Sequence, residues 1–123
     1  MIVESERVHL LQDEEKLAAL GYEPVGFERA DDALAACRSE PDRFDVFLVS
    51  HGSQTKSSLD LARALHEIAP LQPLLLAAAS TIDVSVNALT EGGISEVLRW
   101  PLTSTELAAA LARCLRRSGT LQL

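Results

Sequence analysis

Two nearly continuous apolar runs, Phe44-Asp45-Val46-Phe47-Leu48-Val49 and Pro73-Leu74-Leu75-Leu76-Ala77-Ala78-Ala79, constrain this chain more than any other feature. A strand that is apolar on successive positions has no face to give to water, so such runs suit the centre of a parallel sheet covered on both sides. Weaker strand patterns occur at Met1 to Val3, Pro24 to Phe27 and Ile94 to Leu98. Helical patterns fill the intervals, and this alternation predicts an α/β domain in which helices flank a parallel sheet.

The helices follow from apolar spacing. Leu107, Ala110, Leu111, Cys114 and Leu115 stand at i, i+3, i+4, i+7 and i+8, one stripe of a helix. Thr103 and Glu106 form a T-x-x-E capping box before it, and Gly119 supplies a stop signal after Arg116 and Arg117. Leu61, Ala62, Leu65 and Ile68 make a second stripe, and Ala30, Ala33, Leu34 and Cys37 a third, with Asp31 and Asp32 at its positive end. A shorter helix is expected around Ile82, Val86 and Leu89, ended by Gly92-Gly93. The first helix, from about Glu6 to Leu20, stops at Gly21; the polar run Gln12 to Lys16 leaves Leu10, Leu17 and Leu20 as its anchors.

At 123 residues the chain fits one domain, 1–123, with no internal repeat or linker. A chain of this size buries roughly two-thirds of its unfolded surface, enough for one core. No apolar stretch approaches the roughly 20 residues that span a bilayer. The start, Met1-Ile2-Val3-Glu4-Ser5-Glu6, is not a secretory signal, so a cytoplasmic location is the expectation. A net charge of −7 argues against nucleic-acid binding, which needs clustered cations. Cys37 and Cys114 fall within apolar helical patterns and read as buried free thiols.

Five strand and helix units in this length resemble the receiver domain of two-component response regulators. Local phrases carry the resemblance in order: Leu17-Ala18-Ala19-Leu20-Gly21-Tyr22, Ala33-Leu34-Ala35-Ala36, Asp42 through Val49, Glu91-Gly92-Gly93-Ile94 and Pro101-Leu102. It covers essentially the whole chain and is most similar to receivers at the C-termini of hybrid histidine kinases. The resemblance implies a flavodoxin-like (βα)5 doubly wound sheet, strand order 2-1-3-4-5, in three α/β/α layers.

A working receiver accepts a phosphoryl group on an aspartate at the end of its third strand, aided by Mg²⁺ held among carboxylates. Carried over, the phosphoacceptor falls on Ser50, which offers neither carboxylate nucleophile nor metal ligand. The acidic pair falls on Glu4 and Ser5, the switch hydroxyl on Ala78, and the phosphate-pairing lysine on Trp100. The aromatic of the fifth strand falls on Val97, and the proline and glycine after the phosphoacceptor fall on Gln54 and Ser58. The resemblance also implies a cis Trp100-Pro101 bond, aiming the indole at the vacated pocket. The expectation is a receiver that has lost its phosphorylation chemistry, uses no cofactor or metal, and binds a protein partner such as a histidine kinase or another signalling component. By analogy, a weak homodimer through the face of the fifth strand and its neighbouring helices is also expected.

Two other classes compete. Ser50 beside His51 suggests a serine hydrolase, but neighbouring strand residues project to opposite faces, and Leu48-Val49-Ser50-His51-Gly52 is not a G-x-S-x-G elbow. A small-ligand module is the other alternative, since doubly wound sheets bind ligands beyond their strand ends. No Gly-rich phosphate loop follows any strand, which disfavours a nucleotide or flavin. Glu4 and Glu6 read as a solvated acidic turn, and His9 and His66 as surface or boundary residues on helices.

Overall fold

The computed structural model describes residues 1–51, 55–79, 93–100 and 102–117. Five strands form one sheet: β1 (Ile2–Val3), β2 (Gly26–Phe27), β3 (Phe47–His51), β4 (Leu74–Ala79) and β5 (Glu96–Trp100). Their order is β2-β1-β3-β4-β5, and every pairing is parallel. The order expected from the sequence is therefore observed. The described helices are α1 (Arg7–Ala19), α2 (Ala30–Ser39), α3 (Thr55–Ile68) and α4 (Ser104–Arg117). The helix expected around 82–89 lies outside the described residues.

Alternation along the central strands sorts the core into two layers. Phe47 and Val49 of β3, with Leu74 and Leu76 of β4, pack against Ala33 and Cys37 of α2 and Leu61, Ala62 and Leu65 of α3. Leu48, Leu75 and Ala77 point the other way, toward Leu10 and Leu17 of α1 and Leu107, Ala110, Leu111 and Cys114 of α4. Period-two strands between two helical layers explain why β3 and β4 read as unbroken apolar runs. Both cysteines are buried and neither forms a disulfide.

Local chemistry sets the ends. The Glu106 backbone N–H donates to Thr103 Oγ1 at 3.1 Å, the capping contact that the spacing predicts. Gly21, at φ 95°, takes the left-handed turn that closes α1. Gly93, at φ 67°, lies against the imidazole of His66, and a Cβ there would overlap the ring. His66 is thus a boundary residue, half-buried against backbone.

Several expectations shift. The strand expected at Phe44 to Val49 runs Phe47 to His51, because the ladder with β4 begins at the Phe47–Leu74 rung. Phe44 is buried without joining the ladder: it packs on Phe47 with ring centroids 6.3 Å apart, under the Arg43 guanidinium. The fifth strand likewise starts later, at Glu96. Ala30, expected in the α2 stripe, is exposed at the helix start.

Candidate functional site

In a doubly wound sheet, binding chemistry collects beyond the carboxyl ends of the strands. Here that edge is made by Glu4 and Ser5 after β1, Ser50 and His51 ending β3, Ala78 and Ala79 ending β4, and Trp100 ending β5. Ser50 pairs with Ala77, and Ala78 pairs with His51. Ser50 therefore shares the face of Leu48, toward α1 and α4, whereas Ala78 shares the face of Leu74 and Leu76, toward α2 and α3. The two positions sit on adjacent rungs and opposite faces. Ser50 is half-buried and Ala78 fully buried. Ser58, one turn into α3, donates its hydroxyl to the Ser50 carbonyl at 2.9 Å and ties α3 to the end of β3.

Glu4 departs from the expected solvated turn. It is 4% exposed, because the chain keeps the β1 direction for one more residue and its N–H donates to the Phe27 carbonyl at 3.0 Å. Its carboxylate oxygen Oε1 accepts the Glu6 backbone N–H at 3.2 Å and lies 3.7 Å from His9 Nδ1. Ser5 and Glu6 are exposed, as expected of the turn. His9 is a boundary residue facing Glu4.

One acidic residue in this region escapes the sequence reading. Asp13, in the middle of the polar run of α1, is 4% exposed and makes no hydrogen bond among the described residues. Burial pushes its carboxyl above the usual range; Lys16 pulls it back, Glu4 reinforces the rise, and His9 opposes it. Lys16, one turn on, donates from Nζ to the Leu102 carbonyl at 2.8 Å, joining α1 to the segment that enters α4. A signal was present: Leu10, Asp13 and Leu17 stand at i, i+3 and i+7, so Asp13 shares the face of the two leucine anchors.

The Trp100 side chain, Pro101 and Gln54 lie outside the described part of the structure, so the expected cis bond and indole position do too. No group of three or more His, Cys, Asp or Glu side chains able to hold a metal ion occurs among the described residues. A cavity of about 470 Å³ lies at the opposite, amino edge of the sheet, lined by Tyr22, Arg43, Phe44, Leu48 and Leu115 among others. It is remote from the strand ends just described.

No family model matches the chain, and no curated protein matches it. Solved structures do. A response regulator receiver domain protein from Clostridium thermocellum superposes with a TM-score of 0.87 at 21% identity, covering 98% of this chain and 96% of that one. The fold is that of receiver domains. The signal receiver domain of an HD domain-containing protein from Pseudomonas fluorescens gives 0.81 at 22% identity, over 97% and 94% of the two chains. A pilus assembly-related protein from Burkholderia pseudomallei gives 0.81 at 19% identity, over 94% and 87%. On this receiver fold, Ser50 and Ala78 occupy the ends of the third and fourth strands, and no described helix is long and apolar enough to cross a membrane.

Proposed function

We propose that this chain is a receiver-like domain of two-component signalling that has lost the phosphoacceptor aspartate and acts as a phosphorylation-independent protein-interaction module. The observation that carries the reading is Ser50 at the carboxyl end of β3 in a receiver fold. Phosphoryl transfer needs a carboxylate there to form the acyl phosphate and to help hold Mg²⁺; a neutral hydroxyl does neither at this site. Ser5 supplies no charge for the metal, Ala78 no hydroxyl, and Trp100 no cation. A ligand shifts a conformational equilibrium only through differential affinity, and this edge offers a phosphoryl group little of it. The domain is not an enzyme in this reading.

The partner is a protein, a histidine kinase or another signalling component, by the sequence resemblance to receivers at the C-termini of hybrid histidine kinases. The similarity to a pilus assembly-related protein supports the use of this fold in proteins not described as response regulators. Homodimerisation through the β5 face remains part of the proposal by analogy with receivers.

Incubation with a small-molecule phosphodonor and Mg²⁺ tests the proposal. The intact mass should stay unchanged and the amide NMR spectrum unmoved, and beryllofluoride should do likewise. Ser50→Asp alone should recover little phosphorylation, because Ser5 and Trp100 still withhold the second metal ligand and the cation. Gain of one phosphoryl group by the wild-type protein would overturn the reading. A yellow purified protein would point instead to a flavin-binding module.

A further inference from the structure

Asp13 and Lys16 occupy the seam between α1 and the lead-in to α4 in a way that neither packing nor solvation accounts for. Leu10 and Leu17, on the same face of α1, belong to the layer that holds Leu102, Leu107 and Leu111, so Asp13 lies on the face of α1 that packs into that layer. A buried carboxylate without a hydrogen bond is costly, and its neutral form is favoured there. Lys16 is three residues further along the helix, the spacing at which side chains on one face meet. Its hydrogen bond to the Leu102 carbonyl commits the ammonium to a neutral acceptor, while the Asp13 carboxyl makes no hydrogen bond among the described residues.

The charged groups acting on Asp13 come from α1 itself and from the end of β1. Lys16 and His9 of α1 favour its ionised form, and Glu4 from the end of β1 opposes it. The α4 side contributes the apolar Leu107 and Leu111 and the carbonyl of Leu102. Two arrangements of Lys16 then compete: on the carbonyl when the carboxyl is neutral, or on the carboxylate when it is charged. A carboxylate attracts the ammonium with a full charge where the carbonyl offers only a dipole, so ionisation changes the preferred partner.

We propose that Asp13 and Lys16 form a proton-operated latch between α1 and the Leu102–Thr103 segment. With the carboxyl protonated, Lys16 holds the Leu102 carbonyl; when the proton is released to solvent, Lys16 turns to the carboxylate and frees that carbonyl. The released segment is the one that joins β5 to α4, so the latch couples the ionisation of α1 to the end of β5. The inference rests on the fold and stands independently of the Ser50 reading.

An NMR titration of the full chain decides it, following the Asp13 side-chain carboxyl carbon and the Thr103 amide, which is bonded to the Leu102 carbonyl carbon. Both should move with one shared midpoint above the ordinary 3.8. Asp13→Asn should abolish the Thr103 step in that range. Lys16→Met, which keeps an apolar stem, should shift the Asp13 midpoint further upward and also remove the Thr103 step. A Thr103 step that persists in Asp13→Asn, or an Asp13 titration that leaves Thr103 unmoved in the wild type, would overturn the latch. Should Asp13→Asn fail to fold, the Lys16→Met titration still separates these outcomes.

Discussion

Burial raises the Asp13 carboxyl above 3.8, and the sign of its effect on stability follows. Over the interval between the ordinary and the raised value, the folded chain binds more proton than the unfolded one. Stability from this group is therefore fully present below the ordinary value and declines as pH rises through the folded one. Chemical denaturation of wild type and Asp13→Asn at a series of pH values should show the variant gaining on the wild type as pH increases above the ordinary carboxyl value. A constant difference would mean that Asp13 titrates alike in both states. Neither Asp13 nor Glu4 was legible as buried in the sequence, since hydropathy assigns carboxylates to water. Position could have said more than type: Asp13 lies on the leucine face, and Glu4 extends a buried strand by one residue. Ser50, Ser5 and Ala78 could be singled out because strand ends can be counted along the chain: Ser50 and Ala78 lie in the last two residues of β3 and β4, and Ser5 follows β1.

Among the elements, α4 was read most completely. Leu107, Ala110, Leu111, Cys114 and Leu115 are all buried, since a stripe repeated at i, i+3, i+4, i+7 and i+8 has one way to face a sheet. In α1 the expected anchors Leu10 and Leu17 are buried and Leu20 packs beside them, but the helix also buries Asp13 and exposes Val8 and Leu11, so residue type was a poor guide to its remaining positions. The contrast can be measured. Leu111→Ala, at a side chain 2% exposed in the layer shared by α1 and α4, should cost about 2–5 kcal/mol. Val8→Ala, at 66% exposure, should stay within about 0.5 kcal/mol. Urea denaturation at constant pH reads both, and comparable losses would place Val8 in a contact that the fold does not show. Strand boundaries were the least legible part, because Phe44 reaches the core from outside the ladder and an apolar side chain alone does not distinguish the two.

For the whole molecule, the alternation of apolar strands and helical stripes announced a parallel sheet between helices, whereas the order of its strands came from the resemblance to receiver domains. The apolar layers on the two faces share β3 and β4, so neither can be lost while the other stays intact. Unfolding followed by far-UV circular dichroism and by the fluorescence of the sole tryptophan should give coincident transitions. Separated midpoints would instead reveal one face melting before the other.

The same sheet is mechanically lopsided. β1 lies between β2 and β3 yet meets each through only two rungs, Ile2 and Val3 against Gly26 and Phe27 on one side and Leu48 and Val49 on the other. β3 and β4 share five. Parallel rungs beside a tugged strand are loaded together in shear, so tension entering at Met1 would fall on the short ladders while the long one stayed slack. A pull from that end would strip β1 out of the middle of the sheet and leave β3 and β4 zipped.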